Sequence, residues 1–139
     1  MLDRADYFAA KLTYETDASD LYASQQAGED IVVVDVRSRE AWSQGRLPGA
    51  VHLPYREIAS RAPEEIPADA DVVVYCWSPG CNAGAKAALE FARLGYSVRE
   101  MIGGFEYWVR EGYLVEDADG AHHRPVDPLT GIPRVRSTV

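Results

Sequence analysis

An α/β fold with a mostly parallel sheet is predicted for this chain of 139 residues. Two continuous apolar runs, Ile31–Val34 and Val72–Tyr75, are typical of parallel strands that are covered on both faces. Stretches with helix-capping residues and glycine stops alternate with these runs, as in repeated strand–helix units. The length favours one domain, and the 47% apolar and 26% charged fractions are ordinary for a globular protein.

Helix caps and glycine stops place the elements of the first half of the chain. Asp17 or Ser19 can cap a helix that runs to about Ala27, and Gly28 and Gly45 each follow a helical stretch. In order, we predict a leading helix over 3–11, a strand-like stretch over 12–15, a helix to about residue 27, a strand at 31–34, a helix at 40–44, a short strand at 51–53 and a short helix at 56–60.

The second half contains the helix with the clearest periodicity. It follows the strand Val72–Tyr75 and the residues after Cys76, and Gly95 ends it. A strand over 98–102 and a helix over 105–110 come next. The helix between Cys76 and Gly95 is expected to bury an apolar stripe that consists of Ala85, Ala88, Leu89 and Ala92.

The composition changes near residue 116, and Pro125, Pro128 and Pro133 exclude long helices beyond it. We therefore predict one folded domain over 1–115. Residues 116–139 are expected to be an extension that wraps the domain or is partly disordered.

Charge and cysteine content exclude several classes of protein. A net charge of −8 without a basic run argues against binding nucleic acid or an anionic membrane surface. No run approaches a membrane span, and the first residues lack a secretory apolar core. Two cysteines do not make a disulfide framework, so a cytoplasmic location is expected. His122 and His123 lack a third spaced ligand, so we predict no metal site.

Cys76 is the candidate nucleophile. It follows a buried strand and precedes a helix, which places its thiol at the edge of the sheet where open α/β folds bind ligands. The helix N-terminus favours thiolate over thiol, and thiolate is the reactive form. An anion on Cys76 could be held by the backbone N–H groups of the following loop and helix start, namely Trp77, Ser78, Gly80, Cys81, Asn82 and Ala83.

Three stretches in order resemble the rhodanese family of sulfurtransferases. They are residues 34–54, which begin Val-Asp-Val-Arg; the strand, loop and helix around Cys76; and residues 103–113, which begin Gly-Gly-Phe-Glu-Tyr-Trp. The resemblance covers roughly residues 12–115. It implies a rhodanese-like fold, with a central, mostly parallel sheet of about five strands and helices on both faces.

The resemblance also implies a reaction. In this family a loop cysteine takes a sulfane sulfur from a donor such as thiosulfate, becomes a persulfide, and passes the sulfur to a thiol, to cyanide or to a protein acceptor. The match places this role on Cys76, and it implies ping-pong kinetics without a metal or organic cofactor. The sequence does not identify the physiological donor, the acceptor or the oligomeric state.

The active-site loop departs from the family pattern. It is longer than usual, and no Arg or Lys lies between Cys76 and Lys86. Related phosphatases of the same fold hold phosphate with an arginine six positions after the cysteine. This chain has Asn82 at that position, which argues against a phosphatase. A longer loop forms a wider anion-binding cradle, and this one contains no cation. The alternative therefore stays open that the chain is a catalytically weak module that senses or binds sulfur or an oxyanion.

Four other residues near Cys76 have candidate roles. Cys81 could resolve a persulfide or sulfenate as a disulfide, which would make the chain a thiol redox enzyme, but a bystander in the loop is the preferred interpretation. Asp35 and Arg37 are expected to form an ion pair that supports the site. Trp77 could wall the pocket, contact an acceptor protein or simply pack.

Overall fold

A five-stranded parallel sheet forms the centre of the molecule. The structure, a computed structural model, describes residues 2–130. The strands are β1 (Glu15–Thr16), β2 (Ile31–Asp35), β3 (Val51–His52), β4 (Asp71–Tyr75) and β5 (Ser97–Met101), in the order β1-β5-β4-β2-β3. The predicted fold class, a mostly parallel sheet of about five strands with helices on both faces, is confirmed.

Six α-helices occur in the described part of the chain. They are α1 (Arg4–Tyr14), α2 (Ala18–Gln26), α3 (Arg39–Gln44), α4 (Ile58–Glu65), α5 (Ala83–Arg93) and α6 (Gly104–Arg110). Asp3, Asp17 and Ser38 cap α1, α2 and α3 with side-chain oxygens that accept backbone N–H bonds. A 3-10 turn, Tyr55–Glu57, leads into α4, and another spans Pro128–Thr130.

Each face of the sheet packs against its own pair of helices. Side chains alternate along β4, so that Val72 and Val74 point to one face while Val73 and Tyr75 point to the other. Helices α4 and α5 cover the first face, and α2 and α6 cover the second. The sheet therefore has two separate apolar cores, which explains the continuous valine runs in the sequence.

Three local predictions were wrong. Helix α1 extends to Tyr14 through the stretch predicted as a strand, and the predicted helix at 56–60 runs on to Glu65. On α5 the buried residues are Gly84, Ala87 and Phe91, whereas Leu89 of the predicted stripe is 48% exposed. An alanine-rich helix has apolar residues on adjacent faces, and the large Phe91 side chain fixes which of them enters the core.

The predicted extension, which starts at residue 116, begins inside a β-strand of the fold. Strands β6 (Leu114–Asp117) and β7 (Gly120–His123) form an antiparallel hairpin, and Glu116 exchanges backbone hydrogen bonds with Arg46. Val115 is fully buried in the core on the α2–α6 face. The predicted boundary at residue 115 thus lies within β6, and residues 131–139 of the extension lie outside the described residues.

Candidate active site

Cys76 lies at the carboxyl end of β4, the central strand. The chain leaves β2 toward one edge of the sheet and leaves β4 toward the other, so the ends of these two strands flank the topological switch point. Cys76 is 6% exposed and lines a cavity of about 540 Å³. A small ligand that enters this cavity therefore comes next to a residue that is otherwise shielded from solvent.

Cys76 and Cys81 are joined by a disulfide bond in this structure. Their Cα atoms are 6.5 Å apart, and the bond closes the short loop that precedes α5. Cys81 lines the same cavity as Cys76. The structure therefore gives Cys81 a direct contact with the candidate nucleophile, in contrast to the bystander role preferred from the sequence.

The loop uses part of its own hydrogen-bonding capacity. The Gly80 N–H donates to Ser78 Oγ at 3.2 Å, and the Cys81 N–H donates to the Ser78 carbonyl at 3.1 Å. Two of the six amides predicted to hold an anion are thus engaged within the loop in this disulfide form. Asn82 and Ala83 lie at the start of α5, whose first N–H groups have no intrahelical acceptor.

Helix α6 anchors the other end of the loop. The Phe105 N–H donates to the Cys76 carbonyl at 2.9 Å, and the Glu106 N–H donates to the Trp77 carbonyl at 2.7 Å. Gly104 makes this approach possible, because a Cβ there would lie 2.7 Å from the Cys76 carbonyl oxygen, and its φ of +64° also favours glycine. The backbone at Cys76 and Trp77 is therefore fixed from outside the loop.

Asp35 and Arg37 form a buried ion pair behind the site. The guanidinium donates Nη2–H to Asp35 Oδ2 at 2.6 Å, and the Tyr75 hydroxyl donates to the same oxygen at 2.6 Å. Burial and the nearby Asp35 carboxylate raise the pKa of Tyr75, so its hydroxyl remains a donor. Arg37 also donates to the Gly45 carbonyl at 2.6 Å, which ties the end of α3 to the sheet.

Arg37 supports the loop through aromatic rings. Its guanidinium carbon lies 4.6 Å from the centre of the Trp77 ring and 4.4 Å from that of Phe105. Trp77 is 40% exposed and packs edge-on against Phe105. Within the described residues, the lining of the cavity beside Cys76 includes neither Asp35 nor Arg37, so both position the loop from behind.

The cavity wall is acidic, a property that sequence reasoning missed. Glu15, Asp17, Glu100 and Glu111 all line it, and they come from three separate segments that only the fold brings together. Among residues 2–130, Lys11 is the single basic side chain in the lining, and it forms a 2.5 Å ion pair with Glu15. A sequence signal existed only in the overall charge of −8.

Glu100 is a cavity carboxylate whose charged form is disfavoured by its surroundings. Burial, and then repulsion by the neighbouring Glu15, raise the pKa of Glu100 above its ordinary value. Its side chain also lies close against Gly84, where an added Cβ would be 2.6 Å from Glu100 Oε2. Negative charge thus lies between β5 and the amino end of α5, beside the cavity.

A Glu100→Gln variant tests the cost of this charge. A raised folded-state pKa means that the folded protein binds more protons than the unfolded chain between the ordinary glutamate value, about 4.3, and the folded value. Wild-type stability therefore falls as pH rises through that interval. We expect Glu100→Gln to be more stable than wild type in urea denaturation at pH 7, and the two to converge below about pH 4. Equal stabilities at pH 7 would contradict this expectation.

His122 and His123 lie on strand β7. His123 Nδ1 lies 2.7 Å from the Gly112 carbonyl oxygen, and His122 Nε2 lies 3.3 Å from Asp117. Between residues 2 and 130, no three His, Cys, Asp or Glu side chains are arranged so that they could hold a metal ion. In the same range no helix is both long and apolar enough to cross a membrane.

Comparisons with known proteins identify the fold. The family model for the rhodanese-like domain matches residues 17–111. The chain is 36% identical over 107 residues to a sulfurtransferase of Allochromatium vinosum, an alignment that covers 76% of this chain and 97% of the relative. The structure of the BH2092 protein of Bacillus halodurans superposes with a TM-score of 0.76 at 41% identity, over 82% of this chain and 84% of that one.

A further relative is a larger protein. The chain is 33% identical over 105 residues to the HTH-type transcriptional regulator Rv0324 of Mycobacterium tuberculosis. The alignment covers 76% of this chain but only 46% of the regulator. The shared region is thus about half of that relative.

Proposed function

Because this chain belongs to the rhodanese-like domain family, we propose that it is a sulfurtransferase that carries sulfur as a persulfide on Cys76. The observation that carries the proposal is the position of Cys76, on the wall of a cavity at the carboxyl end of the central strand. The 36% identity to a sulfurtransferase over nearly its whole length supports the same activity.

The proposed reaction has two steps. The reduced Cys76 thiolate attacks the outer sulfur of thiosulfate, the bond between the two sulfur atoms of the donor breaks, and sulfite leaves with the electron pair. A thiol, cyanide or a cysteine of a partner protein then attacks the outer sulfur of the persulfide and regenerates the Cys76 thiolate. The first amides of α5 and the loop amides stabilise the persulfide anion, and no metal or organic cofactor takes part.

The charge of the cavity bears on the donor. In the part of the chain that the structure describes, four carboxylates and one paired lysine line it, so a dianion such as thiosulfate enters against repulsion. We therefore propose that thiosulfate is a weak donor, whose turnover is unchanged or raised by moderate salt. The cytoplasm, where thiol reductants keep Cys76 reduced, is the proposed compartment.

Sulfur loading is tested most clearly in the Cys81→Ser variant, in which no internal disulfide competes. Reduced, desalted protein is incubated anaerobically with thiosulfate and its mass is measured. We expect an increase of about 32 Da, one sulfur atom, and release of one equivalent of sulfite. The unchanged mass of a correctly folded, reduced protein would contradict the proposal.

A second measurement tests the effect of the cavity charge on the rate of loading. Glu100→Gln is added to the Cys81→Ser variant, and Glu64→Gln, at an exposed site, is the charge-matched control. Only Glu100→Gln is expected to load thiosulfate faster.

A sensing module is the second candidate function, favoured by the relationship to a transcriptional regulator. Such a module would bind sulfur species or an oxyanion, or respond to oxidation, without turnover. Transfer after loading separates the two candidates, since a sulfurtransferase passes the loaded sulfur to cyanide over repeated turnovers, whereas a sensing module forms at most one equivalent of thiocyanate.

A further inference from the structure

We infer that Cys81 is a resolving thiol, and that it converts the Cys76 persulfide into the Cys76–Cys81 disulfide with release of hydrosulfide. The inference rests on the proposed function, because it needs a persulfide on Cys76. It adds a second outcome to sulfur loading: reduction of the sulfane sulfur to sulfide within the protein, in place of transfer to an acceptor.

The geometry of the loop permits this step. The Cα atoms of the two cysteines are 6.5 Å apart, within the range of about 4.4–6.8 Å found in disulfides, and the bond is formed in the structure. Both cysteines line the same cavity, and the disulfide that joins them is the product of the proposed step.

The loop turn brings Cys81 back toward Cys76. The turn is closed by the bond from the Cys81 N–H to the Ser78 carbonyl and braced by the bond from the Gly80 N–H to Ser78 Oγ. These bonds are made by backbone and hydroxyl groups and do not involve the sulfur atoms. At the same time α6 fixes the carbonyls of Cys76 and Trp77. Cys81 thus approaches a cysteine whose backbone is already fixed by α6.

The electrostatics of the cavity favour release of the outer sulfur over its storage. A stored persulfide anion faces Glu15, Asp17, Glu100 and Glu111, and Lys11 is already paired with Glu15. Two of the amides predicted to stabilise the persulfide donate instead to Ser78 when Cys81 is bonded to Cys76. Disulfide formation removes the negative charge from the cavity, because hydrosulfide carries it away.

The step balances in atoms and electrons. The Cys81 sulfur attacks Cys76 Sγ, the bond from Cys76 Sγ to the outer sulfur breaks, and the outer sulfur leaves with the electron pair and the Cys81 proton as hydrosulfide. The two cysteines are together oxidised by two electrons and the sulfane sulfur is reduced by two. A dithiol reductant then returns the protein to its dithiol form, so the cycle converts thiosulfate and a dithiol to sulfite, sulfide and a disulfide.

A single-turnover experiment without added thiol tests the inference. Fully reduced wild-type protein, Cys81→Ser and Cys76→Ser are desalted anaerobically and each is given thiosulfate. Sulfite, sulfide and intact mass are then measured. For wild type we expect sulfite and sulfide in equal amounts, a mass loss of about 2 Da, and no further turnover until dithiothreitol is added. For Cys81→Ser we expect sulfite, a mass gain of about 32 Da and at least tenfold less sulfide.

The outcomes separate this inference from the function on which it rests. If wild type keeps the added sulfur and releases no sulfide, while Cys81→Ser also loads, the resolving role of Cys81 is wrong and the sulfurtransferase proposal stands. If Cys81→Ser does not load, the sulfurtransferase proposal itself fails. Cys76→Ser should give neither sulfite nor sulfide, and sulfide from this variant would overturn the assigned order of attack.

Discussion

Replacement of Cys76 by serine is expected to abolish sulfur loading and sulfur transfer. Serine is nearly isosteric, but its hydroxyl is not ionised at neutral pH and cannot form a persulfide. We expect transfer from thiosulfate to cyanide to fall by on the order of 10³-fold or more, since removal of a covalent nucleophile leaves only binding and general electrostatic effects. The measurement is thiocyanate formation by protein that is reduced beforehand.

The matched control for this variant is Cys81→Ser. Each variant loses one cysteine and neither can form the internal disulfide, so any common effect on stability appears in both. Cys81→Ser should retain most of its capacity for loading. Transfer by Cys76→Ser at a substantial fraction of the wild-type rate would place the nucleophile elsewhere.

Replacement of Asp35 by alanine is expected to cause the largest loss of stability. Asp35 is fully buried, and its carboxylate accepts hydrogen bonds from the Arg37 guanidinium, the Arg37 N–H and the Tyr75 hydroxyl. Removal of one member of a buried ion pair leaves the other charge without compensation, which costs about 3–5 kcal/mol. The free energy of unfolding in urea, measured on reduced protein, gives this value.

Arg39→Gln is the control for the loss of Asp35. Arg39 also pairs with a carboxylate, that of Glu57, but its side chain is 69% exposed. Water and salt screen such a pair, so we expect little change in stability. A loss after Asp35→Ala as small as that after Arg39→Gln would show that the buried pair does not hold the ends of β2 and β4 together.

The sequence predicts the sheet and the place of Cys76 at the end of β4 because both depend on local patterns. Unbroken β-branched runs identify β2 and β4, since only strands covered on both faces need them. Cys76 is identified by its place between such a strand and a helix. The hairpin of β6 and β7 was missed because its outer strand is exposed and carries no apolar alternation.

The acidic cavity could not be predicted for a different reason. Glu15 and Glu100 become neighbours only because β1 pairs with β5, a contact between strands that are far apart in the sequence. No local pattern records such a pairing. The spacing of Cys76 and Cys81 did permit a disulfide, but spacing alone does not show whether the loop turns back on itself.

The attachment of Cys76 to α6 has a consequence for how this site can evolve. Because Phe105 and Glu106 hold the backbone carbonyls of Cys76 and Trp77, the backbone at Cys76 takes its position from a helix that lies outside the loop. The tip, residues 78–82, is a separate part that can be lengthened or given new side chains while this backbone stays in place. Under the proposed function, donor preference, acceptor preference and a second cysteine can therefore be gained or lost by substitution in this short segment, without a change in the backbone that carries Cys76.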